Sequence, residues 1–310
     1  MDMLEYLFIR LLYGIFRLMP MSFSRWTAEG LAFIAGRVIR YRRGVIIDNL
    51  LNAFPEKSRE EIDRLIPGIY RHFMYLWVEM LQTWRLNSPR YMRNLADEGT
   101  KKLKKVIQSG KPVILATGHL GNFEWLGWYM AKFIPNLNAI MKPLHNPYLN
   151  NFIIKSRLKM GIKLIFTGEN AFKEGLKALR ENESLAIVGD QDAGERGIYV
   201  NFLNRPASTA TGTALYHKRT GTSVFYCSFR RTGFGKFVIS ARELMVPIDS
   251  KAKKADIFSI TQKYTELLEK DVRDYPEQYF WTHRRWKNQP AAEELKIYSE
   301  NLAKYKKLRT

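Results

Sequence analysis

The pattern of apolar and polar positions separates a helical N-terminal part from a part in which strands and helices alternate. Residues 3 to 19 are strongly apolar but include Glu5, Arg10 and Arg17, and they end at Pro20. Arg10 and Arg17 are seven positions apart, which places both on one face of a helix. We predict a helix that lies in the membrane interface or anchors obliquely in it. The alternative is a helix that packs on the protein's own core.

Further apolar helices follow in this part. We predict helices from Ser24 to Ile39, from Val45 to Phe54, and from Ser58 to about Trp84, where Ser58 stands three residues before Glu61 in a capping-box pattern. A basic cluster after the first of them suits a lipid headgroup region. Its members are Arg37, Arg40, Arg42 and Arg43. The predicted N-terminal region of membrane-associating helices spans residues 1 to 97.

From residue 98 onward, short apolar runs alternate with helical patterns. Strands are predicted at 112–117, 137–141, 163–166 and 185–188, with helices between them. Such alternation favours a mostly parallel sheet with helices on both faces. The predicted fold class is α/β, with a core from 98 to 290.

Further elements are predicted at the end of this core and at the C-terminus. A turn at 205–209 and a helix from Ser208 to Arg219 are predicted. Two strands follow at 224–230 and 236–241, and we predict that they are the arms of one antiparallel hairpin. A C-terminal helix and basic tail occupy 291–310.

The stretch around His119 has the layout of an active site. A strand ends at Thr117, two glycines bracket His119, Asn122 can cap the next helix, and Glu124 lies in its first turn. A neutral imidazole can take a proton from a substrate hydroxyl, while a carboxylate fixes its tautomer. We predict that His119 and Glu124 form this pair. The alternative is a turn histidine beside an acidic residue favoured by the helix dipole.

A second acidic segment follows another strand. Asp190, Gln191 and Asp192 stand at the end of the predicted strand 185–188. The two aspartates can anchor an arginine or cap a loop. They can also hold a divalent metal, as the Asp-x-Asp pair of a nucleotide-sugar glycosyltransferase does.

The amino-acid composition limits the classes of partner that the protein can have. The 310 residues include 50 Lys plus Arg against 30 Asp plus Glu, a net charge of +20. Such a balance points to nucleic acid, phospholipid headgroups or a phosphorylated substrate. The segment 276–290 interleaves aromatics and arginines, so it can stack bases or close the core. The lone Cys227 excludes an internal disulfide and a cysteine-based zinc cluster.

Six motifs occur in an order and spacing that resemble the bacterial lipid A biosynthesis acyltransferases, the late lauroyl and myristoyl transferases. They are HLGNFE, MKPLHNP, SRLKMG, GDQDAG, YVNFLNRPAST and PEQYFWTHRRWKNQP. The resemblance covers nearly the whole chain and implies a three-layer core of the glycerolipid-acyltransferase type. It implies an enzyme on the cytoplasmic face of the bacterial inner membrane, with no nucleic acid partner. Relatives also acylate mannosylated phosphoinositides, which leaves the acceptor open.

The resemblance implies the chemistry as well. A fatty acyl chain moves from an acyl carrier protein thioester, or acyl-CoA, to a hydroxyl of an anionic phosphorylated glucosamine lipid, without acyl-enzyme, metal or organic cofactor. Asp190 and Asp192 are expected to position a basic side chain such as Arg157. Backbone N–H groups near Gly121, or a basic side chain, are expected to stabilise the oxyanion. Lys142 stands where relatives often have Arg. The predicted substrate-binding residues are Asn122, Lys142, Arg157, Asp190, Gln191, Asp192 and Arg284.

Overall fold

A central seven-stranded sheet organises the fold. The computed structural model describes residues 2–93, 95–246 and 256–309. Within them the strands are β1 (Leu95–Glu98), β2 (Ile114–Thr117), β3 (Leu137–Met141), β4 (Ile162–Phe166), β5 (Ser184–Val188), β6 (Ile198–Phe202), β7 (Arg205–Thr209), β8 (Val224–Gly233) and β9 (Lys236–Glu243). The sheet order is β1-β9-β8-β2-β5-β3-β4, and β6 pairs with β7 separately. Every pairing in the large sheet is parallel except that of β8 with β9.

Helices precede, cover and follow the sheet. In the described ranges they are α1 (Asp2–Leu18), α2 (Met21–Phe33), α3 (Arg43–Ala53), α4 (Arg59–Leu81), α5 (Pro89–Met92), α6 (Lys101–Gln108), α7 (Phe123–Ala131), α8 (Pro147–Lys159), α9 (Ala171–Arg180), α10 (Gly212–Thr220), α11 (Ile257–Asp274) and α12 (Ala292–Lys307). A π-helix, Ile34–Val38, continues α2, and short 3₁₀ turns lie at Thr83–Asn87, Gly194–Arg196 and Pro276–Gln278.

Alternating side chains of the strands enter two hydrophobic cores, one on each face of the sheet. Ile114 and Ala116 of β2 belong to the core that α10 and α11 cover. Leu115 points into the opposite core, which α6 and α7 cover. The fold is therefore mixed α/β with helices on both faces of a parallel sheet, as the alternation predicted. The predicted strands at 137–141, 163–166 and 185–188 match β3, β4 and β5 to within one residue.

The N-terminal helices pack around α4. The predicted capping box begins α4: the N–H of Glu61 donates to Oγ of Ser58 over 3.2 Å, and the N–H of Ser58 donates to the Glu61 carboxylate over 2.7 Å. α2 lies along α4, and α1 contacts both α4 and α8. Among the helices that the structure describes, none combines the length and apolarity needed to cross a membrane. The predicted helix from 24 to 39 is divided, because the π-helix takes over after Phe33.

A buried ion pair ties α4 to the β8–β9 hairpin. The carboxylate of Glu79 is fully buried, pairs with Arg231, and accepts the N–H of Gly235 over 3.0 Å. Nε of Arg231 also donates to Nδ1 of the buried His72 over 3.3 Å. A buried charge of this kind is tolerated only when it is paired. The network therefore fixes the N-terminal helices against the sheet.

One predicted element is wrong. Residues 205–209 form β7 rather than a turn that starts a helix, and the predicted helix at 208–219 begins only at Gly212. β6 and β7 are joined through Leu203 and Asn204, whose φ angles are 51° and 61°. Two successive positive φ angles are typical of a type I′ hairpin turn. The predicted region limits at 97/98 and 290/291 stay predictions.

Candidate active site

Two neighbouring parallel strands place the histidine and an aspartate side by side. β2 ends at Thr117 and β5 at Val188, and the two strands pair in parallel. His119 and Asp190 each stand two residues beyond the end of their strand. The carboxyl ends of parallel strands share one edge of the sheet, where open α/β folds keep their ligands. The sheet order therefore brings together residues that are 71 positions apart.

Asp190 holds the imidazole of His119 through two contacts. Its Oδ1 lies 2.6 Å from Nδ1 of the ring, and its Oδ2 accepts the backbone N–H of His119 over 2.9 Å. An ionised carboxylate only accepts hydrogen bonds, so Nδ1 carries the proton and Nε2 is left as the basic atom. The predicted contact between His119 and Glu124 is wrong, because Asp190 occupies that position.

The surroundings of Asp190 keep it ionised although it is only 2% exposed. Burial by itself would raise the pKa of its carboxyl group. The charge of the imidazole, the hydrogen bonds from the ring and N–H of His119, and the guanidinium of Arg285 outweigh burial and hold that pKa below its ordinary value. Arg285 is itself buried and donates to the carbonyl of Ser208 over 2.6 Å.

Glu124 and Arg157 form a pair of their own. Nη2 of Arg157, on α8, donates to Oε1 of Glu124 over 2.5 Å, and each side chain is 20% exposed. The expected pairing of Arg157 with Asp190 or Asp192 is therefore wrong. Glu124 turns toward α8 because it lies in the first turn of α7, whereas His119 lies in the preceding loop. Their roles in catalysis stay predictions.

The backbone around Gly121 does not form the expected oxyanion site. The N–H groups of His119, Leu120, Gly121 and Asn122 already donate to Asp190, Gly118, Gln278 and Phe229 respectively. Gly121 has a φ of 62°, and a Cβ there would lie 1.9 Å from the carbonyl oxygen of Phe229. Glycine is therefore needed for this turn, but its N–H is committed to the fold.

Two predicted substrate-binding residues are structural. Asn122 is fully buried; its amide donates to Glu79 over 2.7 Å, and its Oδ1 caps α7 at the N–H of Trp125. Asp192 accepts the N–H of Gly194 over 2.9 Å and that of Asn288 over 3.0 Å. The polar atoms of these two side chains serve a helix cap and a loop, and their part in substrate binding stays a prediction.

Three other residues were predicted to bind substrate, namely Gln191, Lys142 and Arg284. Nε2 of Gln191 lies 3.4 Å from Nε2 of His119, whose side chain is 18% exposed. Lys142 and Arg284 are exposed, and within the described residues neither forms an ion pair or hydrogen bond. Their part in substrate binding stays a prediction.

The segment 276–290 supplies contacts that the sequence analysis did not assign. Tyr279 lies against Asp190, and burial together with the charge of that carboxylate raises the pKa of the phenol well above its ordinary value. His283 accepts the N–H of Asp192 at Nε2 over 3.3 Å, and burial lowers the pKa of its imidazole. The mixture of aromatics and basic residues identified this segment as unusual, but a single sequence does not show which of them face Asp190.

Aromatic rings line the approach to the histidine. The ring of His119 lies 4.6 Å from that of Phe123 and 5.8 Å from that of Phe280. Phe280 contacts Phe73 of α4, which in turn contacts Trp77. Apolar walls of this kind exclude water from a proton transfer.

A largely apolar cavity of about 840 Å³ lies between α1, α2, α4 and α8. Glu124, Arg157 and Trp77 line it, which brings it next to the aromatic approach to His119. Apolar walls come from all four helices, among them Phe8, Leu12, Phe16, Leu31, Met74, Val78, Leu149, Phe152 and Ile153. Its volume is within the ~300–1,000 Å³ usual for small-molecule sites.

Comparison with known proteins identifies the family. The family model described as bacterial lipid A biosynthesis acyltransferase matches residues 2–288. The chain belongs to this family. The resemblance and the predicted enzyme class, an acyltransferase, are confirmed.

Three named relatives are similar to this lipid A acyltransferase family member over most of its length. The chain is 25% identical over 257 residues to the lipid A biosynthesis palmitoleoyltransferase of Escherichia coli, covering 82% of each chain. It is 24% identical over 263 residues to the lipid A biosynthesis lauroyltransferase of E. coli, covering 84% of each. It is also 19% identical over 243 residues to the phosphatidylinositol mannoside acyltransferase of Mycolicibacterium smegmatis, covering 77% of each.

The alternative function, a metal-dependent glycosyltransferase, required Asp190 and Asp192 to bind a metal ion together. Both oxygens of Asp190 contact His119, whereas those of Asp192 contact Gly194 and Asn288. Among the described residues, no three His, Cys, Asp or Glu side chains are grouped so that they could hold a metal ion. In this acyltransferase family member the two carboxylates are therefore engaged by different partners, an imidazole and a loop.

Proposed function

We propose that this chain transfers a fatty acyl group from a thioester donor to a hydroxyl of a lipid A precursor or a related glycolipid, with His119 as general base. The observation that carries the proposal is the placement of His119. Asp190 fixes its Nδ1, which leaves Nε2 as the basic atom of a ring that is 18% exposed. Family membership supports the acyl transfer, and the geometry supports this assignment of the base.

The proposed reaction proceeds directly between the two substrates. Nε2 of His119 takes the proton of the acceptor hydroxyl, and Asp190 stabilises the imidazolium that forms. The acceptor oxygen attacks the thioester carbonyl and forms a C–O bond. The C–S bond then breaks, and the imidazolium returns the proton to the departing thiolate. An ester and a free thiol result, so the proton and the electron pairs balance without a covalent enzyme intermediate.

Side chains rather than backbone N–H groups would stabilise the tetrahedral oxyanion. The N–H groups of residues 119–122 are committed to other acceptors. The amide of Gln191 is a polar donor that lies 3.4 Å from Nε2 of His119. Donors that are fixed in advance stabilise developing charge without having to reorganise. We therefore assign Gln191 to the oxyanion.

The apolar cavity supports binding of the donor's acyl chain. Its walls are mostly hydrocarbon, and the paired charges of Glu124 and Arg157 lie among its lining residues. An alkyl chain placed there would leave water and gain the free energy of apolar burial. Arg157 would then lie near the polar end of the donor.

The surroundings favour a membrane-bound anionic acceptor. The chain carries a net charge of +20, which suits an acidic carrier protein and lipid phosphates. Leu4, Leu7 and Leu11 of α1 are exposed and lie on one face of the helix. We infer that the protein sits on the cytoplasmic face of the bacterial inner membrane, where such an acceptor is made.

Purified protein tests this function directly. It would be incubated with acyl carrier protein thioesters or acyl-CoA, and with either a phosphorylated glucosamine lipid or a mannosylated phosphoinositide. Mass spectrometry would detect the added acyl group. We expect a product with a glucosamine lipid, and its loss in His119→Gln. The matched control is His217→Gln, because the ring of His217 hydrogen-bonds the carbonyl of Thr222, just beyond the end of α10.

The outcomes separate the alternatives. A product only with the mannosylated lipid would change the acceptor and keep the mechanism. Full activity of His119→Gln would remove His119 as the base. Absence of acyl transfer to every acceptor, with a folded protein, would contradict the proposed function.

A further inference from the structure

A second cavity lies apart from the apolar cavity between α1, α2, α4 and α8. It has a volume of about 600 Å³ and runs between α2, the π-helix and α4. We call it the arginine groove, defined by its charged lining residues Arg25, Glu29, Arg37, Arg43, Asp63 and Arg71. Four guanidinium groups thus face two carboxylates in one concave surface.

The two carboxylates of the groove, Glu29 and Asp63, already accept hydrogen bonds from other side chains. Glu29 accepts Nε of Arg25 over 2.9 Å and the hydroxyl of Tyr75 over 2.6 Å. Asp63 accepts Arg43 over 3.3 Å, and Arg59 on the same helix over 3.0 Å. These contacts satisfy the acids of the groove and leave its other cations in excess.

Arg37 and Arg71 supply that excess. In the part of the chain that the structure describes, neither guanidinium has a hydrogen bond or an ion pair. Arg37 comes from the π-helix and Arg71 from α4, so they approach the groove from two elements. A planar guanidinium matches two oxygens of a phosphate at once. The charge of Arg71 acts on Glu29 without a hydrogen bond to it, so both guanidinium groups keep their N–H donors for an anion.

The backbone under the groove has an unusual conformation. In the π-helix the N–H of Ile39 donates to the carbonyl of Ile34 over 2.9 Å. A Cβ added at Gly36 would come within 2.8 Å of the Tyr70 ring, so the helix backbone lies directly on that ring. π-Helical turns are rare and frequently occur at functional sites. Here the turn carries Arg37.

Exposed apolar residues on the same turns indicate the kind of anion. Phe33, Ile34 and Val38 are 64%, 45% and 68% exposed. Cations directly beside apolar surface are typical of the boundary between lipid headgroups and acyl chains. A soluble anion would not require that apolar margin.

We propose that the arginine groove binds the phosphate group of a phosphorylated lipid lying in the membrane, through Arg37 and Arg71. The proposed function supplies the choice of lipid, a phosphorylated glucosamine lipid acceptor. Binding of the phosphate itself can be tested without acyl transfer.

Aromatic contacts connect the groove with the active site. The hydroxyl of Tyr70, which lines the groove, donates to the carbonyl of Tyr41 over 2.7 Å. The Tyr41 ring stacks on Phe73, which contacts Phe280 beside His119. An extended headgroup that is held by its phosphate in the groove can follow this row of rings toward Nε2 of His119.

Vesicle binding of the full chain tests the proposal. Phosphatidylcholine vesicles would contain the phosphorylated glucosamine lipid, the same lipid after phosphatase treatment, or phosphatidylglycerol at the same molar fraction. The test variant is Arg37→Gln with Arg71→Gln. The matched control is Arg64→Gln, an exposed arginine of α4 that does not line the groove.

We expect the double variant to bind vesicles with the phosphorylated lipid at least about tenfold more weakly, because it loses charge-assisted hydrogen bonds. Its binding to the phosphatase-treated lipid should equal that of the wild type. Arg64→Gln should change either value by less than about twofold. An equal loss with phosphatidylglycerol would assign the groove to membrane phosphates in general. Unchanged binding of the double variant to the phosphorylated lipid would overturn the proposal.

Two further measurements keep these outcomes distinct. Arg37→Lys with Arg71→Lys keeps the charge but removes the planar guanidinium groups, and it should bind the phosphorylated lipid less well than the wild type. Wild-type binding by this variant, together with weak binding by the Gln variant, would overturn the bidentate part of the proposal. Vesicle binding is measured without an acyl donor, so failure of the proposed acyl transfer leaves the groove test intact.

Discussion

Nδ1 of His119 lies 2.6 Å from Oδ1 of Asp190, although 71 positions separate the two residues in the chain. The contact follows from the pairing of β2 with β5, since each residue stands just beyond the end of its strand. It fixes the proton of the imidazole on Nδ1 and leaves Nε2 as the basic nitrogen. The account of catalysis therefore depends on Asp190 rather than on the carboxylate nearest in sequence.

Replacement of Asp190 by Asn should strongly reduce turnover. The amide can donate to Nδ1 and so stabilise the tautomer that carries its proton on Nε2. In a catalytic triad the same change costs about 10⁴ in kcat, and we expect a loss of comparable order. Steady-state kinetics of Asp190→Asn measures it. Asp192→Asn is the control, because its carboxylate contacts only a loop, and it should retain most of kcat. Near-normal turnover of Asp190→Asn would contradict this role.

The strands of the core could be predicted from the sequence, whereas the partner of His119 could not. Apolar runs separated by helical patterns locate β3, β4 and β5, because burial on both faces requires such runs. The contact with Asp190 depends on which strands are neighbours, and a single sequence does not reveal the sheet order. Glu124 was the nearer candidate along the chain, but the first turn of α7 directs it toward Arg157.

Other differences between prediction and structure have a similar physical origin. Asn122 has the sequence pattern of a helix cap, and it is one, but its burial against Glu79 comes from tertiary packing of α4. The strand β7 was missed because Pro206 suggests a turn. Proline is nevertheless tolerated in a two-stranded ladder, where an N–H can face away from the partner strand.

Stability should decrease as the pH falls below the ordinary pKa of histidine, about 6.5. Burial lowers the pKa of His72 well below that value, and Arg231 beside it lowers it further, against the opposing effect of a hydrogen bond that the ring donates to the backbone carbonyl of Gly121. Below pH 6.5 the unfolded chain therefore binds a proton that the folded chain does not, which favours unfolding. The contribution of neutral His72 to the free energy of unfolding is fully present above pH 6.5. It is lost as the pH falls toward the pKa of His72 in the folded protein.

Urea unfolding at pH 7.5 and 5.5 measures this effect. His72→Gln should remove about 1.4 kcal/mol of the difference between the two pH values, the contribution of one proton over that interval. Replacement of the exposed His145 by Gln should leave the difference unchanged. An identical pH dependence in wild type and His72→Gln would show that His72 does not remain neutral when buried.

A larger side chain in the apolar cavity should shorten the preferred acyl donor. Leu12 lines the cavity on α1, whereas Leu11 on the same helix is 61% exposed. Leu12→Trp should lower kcat/KM for the longest accepted thioester by at least about tenfold, a typical effect of misfit in a hydrophobic pocket. Shorter thioesters should be affected less. Leu11→Trp is the matched control, and an equal effect in both variants would argue against acyl binding in this cavity.

The exposed face of α1 should contribute to membrane binding. Leu4, Leu7 and Leu11 are 72%, 53% and 61% exposed. Replacing all three by Gln should weaken binding to phosphatidylcholine vesicles by about tenfold for each leucine that enters the interface. The free energy of unfolding in solution should hardly change, because these side chains already face solvent. Leu295→Gln on α12 is the control; equal vesicle binding by the triple variant would contradict the role of this face.

The state of the His119 ring tests the central claim most directly. NMR of the ¹⁵N-histidine-labelled protein resolves the ring nitrogens of its five histidines, and His119→Gln assigns the signal. We predict a strongly downfield proton on Nδ1 and an unprotonated Nε2 in the wild type, preserved in Glu124→Gln and abolished in Asp190→Asn. A signal that survives Asp190→Asn and disappears in Glu124→Gln would contradict the assignment of Asp190 as the partner of the catalytic base.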